Sequence, residues 1–393
     1  QVSETFSRKG EIRDWDAFPE YLEGDFPHPE QLYTLKDIHL GERGNGNIDD
    51  YQVSPALKHL AKAYSYWIAY ADIDGYRVDT IKHMDKGATR YFASVIHEFA
   101  QSIGKENFYL IGEITGGREN AFRTMEETGL DAALGINDIP GKLEDVVKGA
   151  ADPVEYFQLF RHSLELGKDS HVWFRDKVVT MFDDHDQVRK GNNKARFCRH
   201  DNGERLIAAA MALNLLTEGI PCIYYGTEQY FDGEGGNDRY IRECMFGGTF
   251  GAFRSKGRHF FTEDGELFKN ISAMVDIRKK HIALRRGRQY LREISGNGFD
   301  FGTPRRMGGR MYSVIAWSRI FNNKEIVVAM NSDPYSPRSA WVTVDNDLHS
   351  SGRNMTCLFS TDAGQVNSRF PVEARNGKAV YITVPPGGVV IVQ

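Results

Sequence analysis

The stretch Asp74-Gly75-Tyr76-Arg77-Val78-Asp79-Thr80-Ile81-Lys82-His83 decides how this chain is read. Side chains two apart in a strand share a face, so Arg77 and Asp79 point the same way. A guanidinium so placed holds a carboxylate ionised and oriented, as a nucleophile requires. Taken alone, the pair reads better as a structural ion pair.

Its surroundings set the fold. Upstream, Ser54-Pro55 joins an N-cap residue to a proline at the first helical position and opens an amphipathic helix over residues 56–70. From there strand-like runs (75–81, 108–114, 130–136, 177–182, 220–225) alternate with helix-like runs (87–103, 203–217, 266–286). Such repetition predicts a parallel sheet or a (β/α) barrel. Near residue 308 the pattern changes to alternating or apolar runs at 310–319, 325–331, 340–344, 355–360 and 379–384, separated by turns such as Asn322-Asn323 and Pro385-Pro386-Gly387-Gly388. This predicts a separate antiparallel β-sandwich domain over 308–393. Residues 1–50 are polar, aromatic and loop-like.

At 393 residues the chain exceeds one ordinary domain. Its 41% hydrophobic and 26% charged residues are those of a globular protein, and a net charge of -5 gives no electrostatic case for nucleic acid or an anionic membrane. No apolar run approaches the ~20 residues of a membrane span. Cys198, Cys222, Cys244 and Cys357 are scattered without a CxxC pair, which argues against a zinc site or a disulfide framework. A start at Gln1, without Met or an apolar leader core, reads as processed or truncated, with secretion slightly favoured.

Two further runs carry chemistry. In Leu110-Ile111-Gly112-Glu113-Ile114-Thr115-Gly116-Gly117 a Glu ending an apolar strand precedes a glycine-rich turn, where a barrel keeps catalytic groups. Partial burial there raises a carboxyl and suits a general acid, although alone the residue reads as a solvated strand-end Glu. In Val179-Thr180-Met181-Phe182-Asp183-Asp184-His185-Asp186-Gln187 an apolar strand delivers a His-Asp pair suited to binding hydroxyls and stabilising positive charge. One His without a second at metal spacing argues against a transition-metal site.

Together these runs resemble the α-amylase family, glycoside hydrolase family thirteen. Residues 75–83 are similar to its second signature region, 110–114 to its third and 182–186 to its fourth, in the family's order and on predicted strand ends. The run Gly219-Ile220-Pro221-Cys222-Ile223-Tyr224-Tyr225-Gly226-Thr227-Glu228-Gln229 resembles the eighth barrel strand, and Leu32-Tyr33-Thr34-Leu35-Lys36-Asp37-Ile38 the fifth region, in a loop domain inserted after the third strand. The resemblance implies a (β/α)8 TIM barrel, of which strands four to eight lie in 51–307, preceded by the remainder of the loop domain in 1–50 and followed by the β domain. It implies Asp79 as nucleophile, Glu113 as acid/base, Asp186 as transition-state stabiliser, Arg77 as the group orienting Asp79, and His185, Lys82 and His83 as substrate-binding residues. It also implies a structural calcium ion drawing on Asp37 and the backbone carbonyl of His83, since hard cations take oxygen ligands.

The family's first signature, an Asp-x-x-x-Asn-His run, is not found upstream of Asp37. The expectation is therefore that the first three strand–helix units precede this sequence, or that an N-terminal partner fragment completes the barrel and removes an open sheet edge. The expected activity is retaining hydrolysis of α-1,4-glucans. The alternatives are an α-glucanotransferase of the cyclodextrin-forming type and an inactive family member serving as a binding subunit.

Overall fold

The side chain of Ser54 accepts the N–H of Leu57 at 3.1 Å, and Pro55 takes the first position of helix α1 (Pro55–Ala71), so one orphan donor is satisfied and the missing proline N–H costs nothing. The helix ends at Asp72 in the left-handed region, φ 55°, and the chain turns into strand β1 (Gly75–Val78). Helix α2 (Lys86–Ser102) begins where Asp85 accepts the Gly87 N–H at 2.7 Å. Strand β2 (Tyr109–Gly116), helix α3 (Arg118–Thr128) and strand β3 (Ala132–Ile136) follow.

This computed structural model describes residues 5–7, 37–161, 175–245 and 262–393. They fall into two compact units: Gln1–Ile136 with Lys177–Val179, and Asn137–Asp176 with Thr180–Gln393. In the first unit β1, β2 and β3 form a parallel sheet in that order, and Ala133 makes a further parallel bridge to Val178. The parallel order and the intervening helices are those expected of a (β/α) barrel. Among the described residues β1 pairs with β2 alone. Register matters most here: Gly75 lies opposite Tyr109 and Val78 opposite Gly112. Asp79 and Glu113 therefore follow at the same level on adjacent strands. Gly112 lets the Leu130 and Ile81 side chains pack close to β2, since a Cβ there would stand 2.6 Å from the Leu130 side chain and 3.2 Å from Ile81 and make them shift.

In the second unit helix α4 (Asp138–Val147) was not expected from the sequence, since Pro140 and Gly141 fall in its first turn, where a missing N–H is tolerated. Helix α5 (Gly203–Leu216) is buried along most of its length. Its last carbonyls are capped by distant side chains: Trp317 Nε1 and Arg319 Nη1 donate to Leu216 O at 3.1 and 3.2 Å, and Arg278 Nη1 to Leu215 O at 2.7 Å. Cationic donors suit a helix C-terminus. The expected helix at 266–286 is two, α6 (Glu266–Lys280) and α7 (Ile282–Arg286), parted at His281 by an extended backbone conformation.

The antiparallel domain comprises β4 (Arg288–Leu291), β5 (Ile294–Ser295), β6 (Val314–Phe321), β7 (Lys324–Asn331), β8 (Arg338–Thr343), β9 (Asn354–Ser360), β10 (Arg369–Glu373), β11 (Ala379–Val384) and β12 (Val389–Val392). The order is β4-β6-β7-β12-β9-β10-β11-β8-β5. Val314, Ala316, Val327 and Ala329 from one half share a core with Ala340, Val342, Val380 and Ile382 from the other, which makes the sheet a sandwich. Its outermost strands, β4 and β5, precede residue 308.

Candidate active site

The first unit brings three expected residues together. Arg77 Nη1 lies 2.7 Å from Asp79 Oδ1, and its Nη2 lies 2.9 Å from Glu113 Oε1. One guanidinium thus holds two carboxyl groups from adjacent strands, a geometry that a planar fork supports and an ammonium does not. The second oxygen of Glu113 accepts the Thr80 N–H at 3.0 Å. Thr80 sits at φ 53°, an outlier for a β-branched residue. Such strain persists where surrounding contacts enforce it, and here it turns an N–H onto the carboxylate. Thr80 was not singled out from the sequence, because nothing in its residue type announces a left-handed conformation.

The two carboxyl groups sit in different surroundings. The Asp79 side chain is 65% exposed and that of Glu113 only 14%. Burial raises the Glu113 carboxyl above its ordinary range. The Thr80 N–H and the Arg77 charge oppose the rise, while a hydrogen bond and the charge of Asp79 add to it. An exposed carboxylate beside a half-buried carboxyl raised above its ordinary range is the contrast that acid-assisted displacement uses.

Lys82 and His83 follow in the short 3-10 turn Ile81–His83. Lys82 is 7% exposed and packs into the unit rather than standing in solvent. His83 is lowered by burial and by the Lys82 charge, and so favours the neutral imidazole. Asp37 belongs to the short strand Asp37–Ile38, and its side chain lies outside the described residues. Among the described residues no group of three or more His, Cys, Asp or Glu could hold a metal ion.

The second unit carries the third carboxylate. His185 Nε2 lies 2.8 Å from Asp186 Oδ2, and Arg242 Nη2 pairs with Asp186 Oδ1 while its Nε donates to His185 O at 2.9 Å. The hydrogen bond from His185 lowers the Asp186 carboxyl below its usual range, and the charges of His185 and Arg242 act the same way against burial. The loop is locked from within: Asp184 Oδ1 accepts the N–H groups of Asp186, at 2.7 Å, and Gln187. Lys194 Nζ donates to the carbonyls of Asp186 and Gln187. Arg242 and Lys194 were missed from the sequence, Arg242 because 56 residues separate it from Asp186.

The description "Alpha amylase, catalytic domain" matches residues 49–246, and "Alpha amylase, C-terminal all-beta domain" matches residues 310–393. The chain is 26% identical over 311 residues to a cyclomaltodextrin glucanotransferase of Klebsiella oxytoca, covering 72% of this chain and 42% of that protein. It is 26% identical over 354 residues to an α-amylase of Streptomyces lividans, covering 85% of this chain and 35% of that protein. The chain thus spans less than half the length of these curated relatives. In fold it resembles an Anoxybacillus α-amylase at a TM-score of 0.67 and 19% identity, over 99% of this chain and 70% of that one. The catalytic-domain match alone covers half of the sequence, and the chain belongs to the α-amylase family.

Proposed function

We propose that this chain carries the machinery of a retaining α-glucoside hydrolase acting on α-1,4-glucans. The observation that carries the reading is the Asp79–Arg77–Glu113 constellation, in which one carboxyl is exposed and the other is buried and held toward its protonated form. In the proposed first step an Asp79 oxygen attacks the anomeric carbon while Glu113 gives its proton to the departing glycosidic oxygen. A covalent glycosyl ester forms and the shortened glucan leaves as an alcohol. In the second step Glu113, now ionised, takes a proton from water. The water oxygen attacks the same carbon and Asp79 departs as carboxylate. Asp186 is proposed to offset charge on the oxocarbenium-like transition state, with His185 binding sugar hydroxyls.

Retaining chemistry requires about 5–5.5 Å between the two carboxyl groups, a spacing in keeping with side chains that stand level on adjacent strands about 4.8 Å apart. The retention of both groups and of Arg77 speaks against an inactive binding subunit. A second reading, α-glucan transfer, draws support from the glucanotransferase among the relatives. Incubation with maltoheptaose separates the readings. Short linear α-sugars are expected for hydrolysis, cyclic or longer glucans would replace that reading by transfer, and no product at all would leave binding.

A structural calcium ion held by Asp37 and the His83 carbonyl is also proposed, from the resemblance. Chelation with EDTA is expected to lower Tm by several degrees, with recovery on adding calcium. An unchanged Tm would remove the ion from the proposal.

A further inference from the structure

Beside the Asp186 loop lies a buried ion pair to which the proposed chemistry gives no task. The side chains of Arg196 and Glu243 are 0% and 1% exposed. Arg196 Nε and Nη2 both donate to Glu243 Oε2, at 3.0 and 2.8 Å, and Nη1 donates to Tyr225 O at 2.8 Å. The guanidinium stands 4.2 Å from the centroid of the Tyr224 ring and 5.5 Å from that of Phe231. A buried pair of this kind is poor evidence for stability, because desolvation consumes most of what the attraction returns. Its geometry indicates another use.

Everything around the pair fixes one short segment. Glu243 Oε1 accepts the Gly233 N–H at 2.6 Å, while Gly233 O accepts the Arg196 N–H at 2.9 Å. Position 233 admits glycine alone, since a Cβ would stand 2.1 Å from Tyr240 O and 2.4 Å from Glu243 Oε1. The Tyr224 hydroxyl donates to Ile241 O at 3.1 Å, and the Tyr225 hydroxyl to Glu243 O at 2.7 Å. The carbonyls on both sides of Arg242 are thereby held by tyrosines that pack on Arg196. Arg242 is left to reach outward, where it meets His185 O and Asp186 Oδ1.

We propose that the buried Arg196–Glu243 pair is a positioning device for Asp186, acting through Arg242. The device rests on the functional reading only in taking Asp186 as a working carboxylate. Arg196 and Glu243 touch no reacting atom in that scheme. They hold the main chain from which Arg242 grips the Asp186 loop, and misplacement of a working group by about 1 Å costs on the order of 100-fold in rate. Lys194 braces the same loop from its other side and also pairs with Asp238 at 3.0 Å. The charged groups facing Asp186 are therefore His185, Arg242, Asp184, Lys194 and Asp238.

The test reads the Asp186 carboxyl directly, by carbon-13 NMR titration of the full chain, with the resonance assigned through Asp186→Asn. Arg242→Ala removes the grip and is expected to move the Asp186 midpoint upward. Glu243→Gln, which keeps the shape but uncouples Arg196, is expected to move it in the same direction. The double variant is expected to shift no further than Arg242→Ala alone. Tyr225→Phe, which deletes one hydroxyl, provides a milder version should Glu243→Gln fail to fold, and is expected to give a smaller upward shift. An unmoved midpoint in Glu243→Gln or Tyr225→Phe overturns the proposal, as do additive shifts in the double variant. The measurement needs no turnover, so absence of glucan activity would defeat the functional reading and leave this one to be decided by the titration. Where turnover is present, Glu243→Gln is expected to lower kcat roughly 10–100-fold with little change in KM.

Discussion

Asp79→Asn is expected to abolish glucan turnover, with a fall of roughly 10⁴-fold or more, the scale on which loss of a nucleophile is felt. The amide keeps the size of the side chain but lacks the charge to attack the anomeric carbon. Stability is expected to change little, because the Asp79 side chain is 65% exposed and ion pairs of exposed groups contribute about 0–1 kcal/mol. An unaltered Tm beside lost turnover would therefore separate chemistry from folding. A fluorinated sugar that traps the covalent intermediate is expected to label Asp79 in the unmodified protein, as read by peptide mass spectrometry. A label on Asp186 or Glu113 would sink the assignment. The variant also bears on its neighbour. Asp79 raises the Glu113 carboxyl through a hydrogen bond and through its charge, so Asp79→Asn is expected to lower the Glu113 midpoint in a carbon-13 titration. Formation of the glycosyl ester neutralises Asp79 in the same way. That fall is what would turn Glu113 from the acid of the first step into the base of the second.

The strands at these two residues were legible in the sequence. The run before Glu113 is apolar and its strand buries alternate residues, whereas the run before Asp79 is short and half-buried and shows itself by its place between two helical stretches. The observed strands Gly75–Val78 and Tyr109–Gly116 fall on those runs, and their register brings Asp79 level with Glu113. What stayed hidden depends on distance along the chain or on backbone conformation. The Arg196–Glu243 pair spans 47 residues and the grip of Arg242 on Asp186 spans 56, and no periodicity connects positions so far apart. Thr80 is an ordinary residue in an unusual conformation. The low exposure of Lys82 in the 3-10 turn after β1 was likewise not announced by its residue type. Helix α3 carries few apolar residues beyond Ala121, Phe122 and Met125 and shows no clear stripe in its sequence, yet packing on β2 and β3 makes it helical. The strand at 389–392 is a short apolar run buried on both faces, which lacks the alternation that announced its neighbours.

Glu113→Gln is expected to lower turnover of natural glucan by about 10²–10⁴-fold, the usual contribution of a positioned general acid. The size should depend on the leaving group. A glycosidic oxygen departs poorly without a proton, whereas fluoride departs without help, so maltosyl fluoride is expected to form the covalent intermediate in the variant at close to the original rate. Hydrolysis of that intermediate should be slow, because the glutamine cannot accept a proton from water. Added azide, a nucleophile needing no base, is expected to restore release. The pH dependence follows from the direction of the shift. The first step needs Glu113 protonated, and burial raises its carboxyl, so the acid form persists to a higher pH than an ordinary glutamic acid allows and activity falls as pH rises through the raised value. In Glu113→Gln that descending limb should vanish from the pH profile of the residual glucan turnover. If the limb persists, or if the variant degrades glucan undiminished, the proton comes from another group, and the contrast between exposed Asp79 and buried Glu113 loses its chemical meaning.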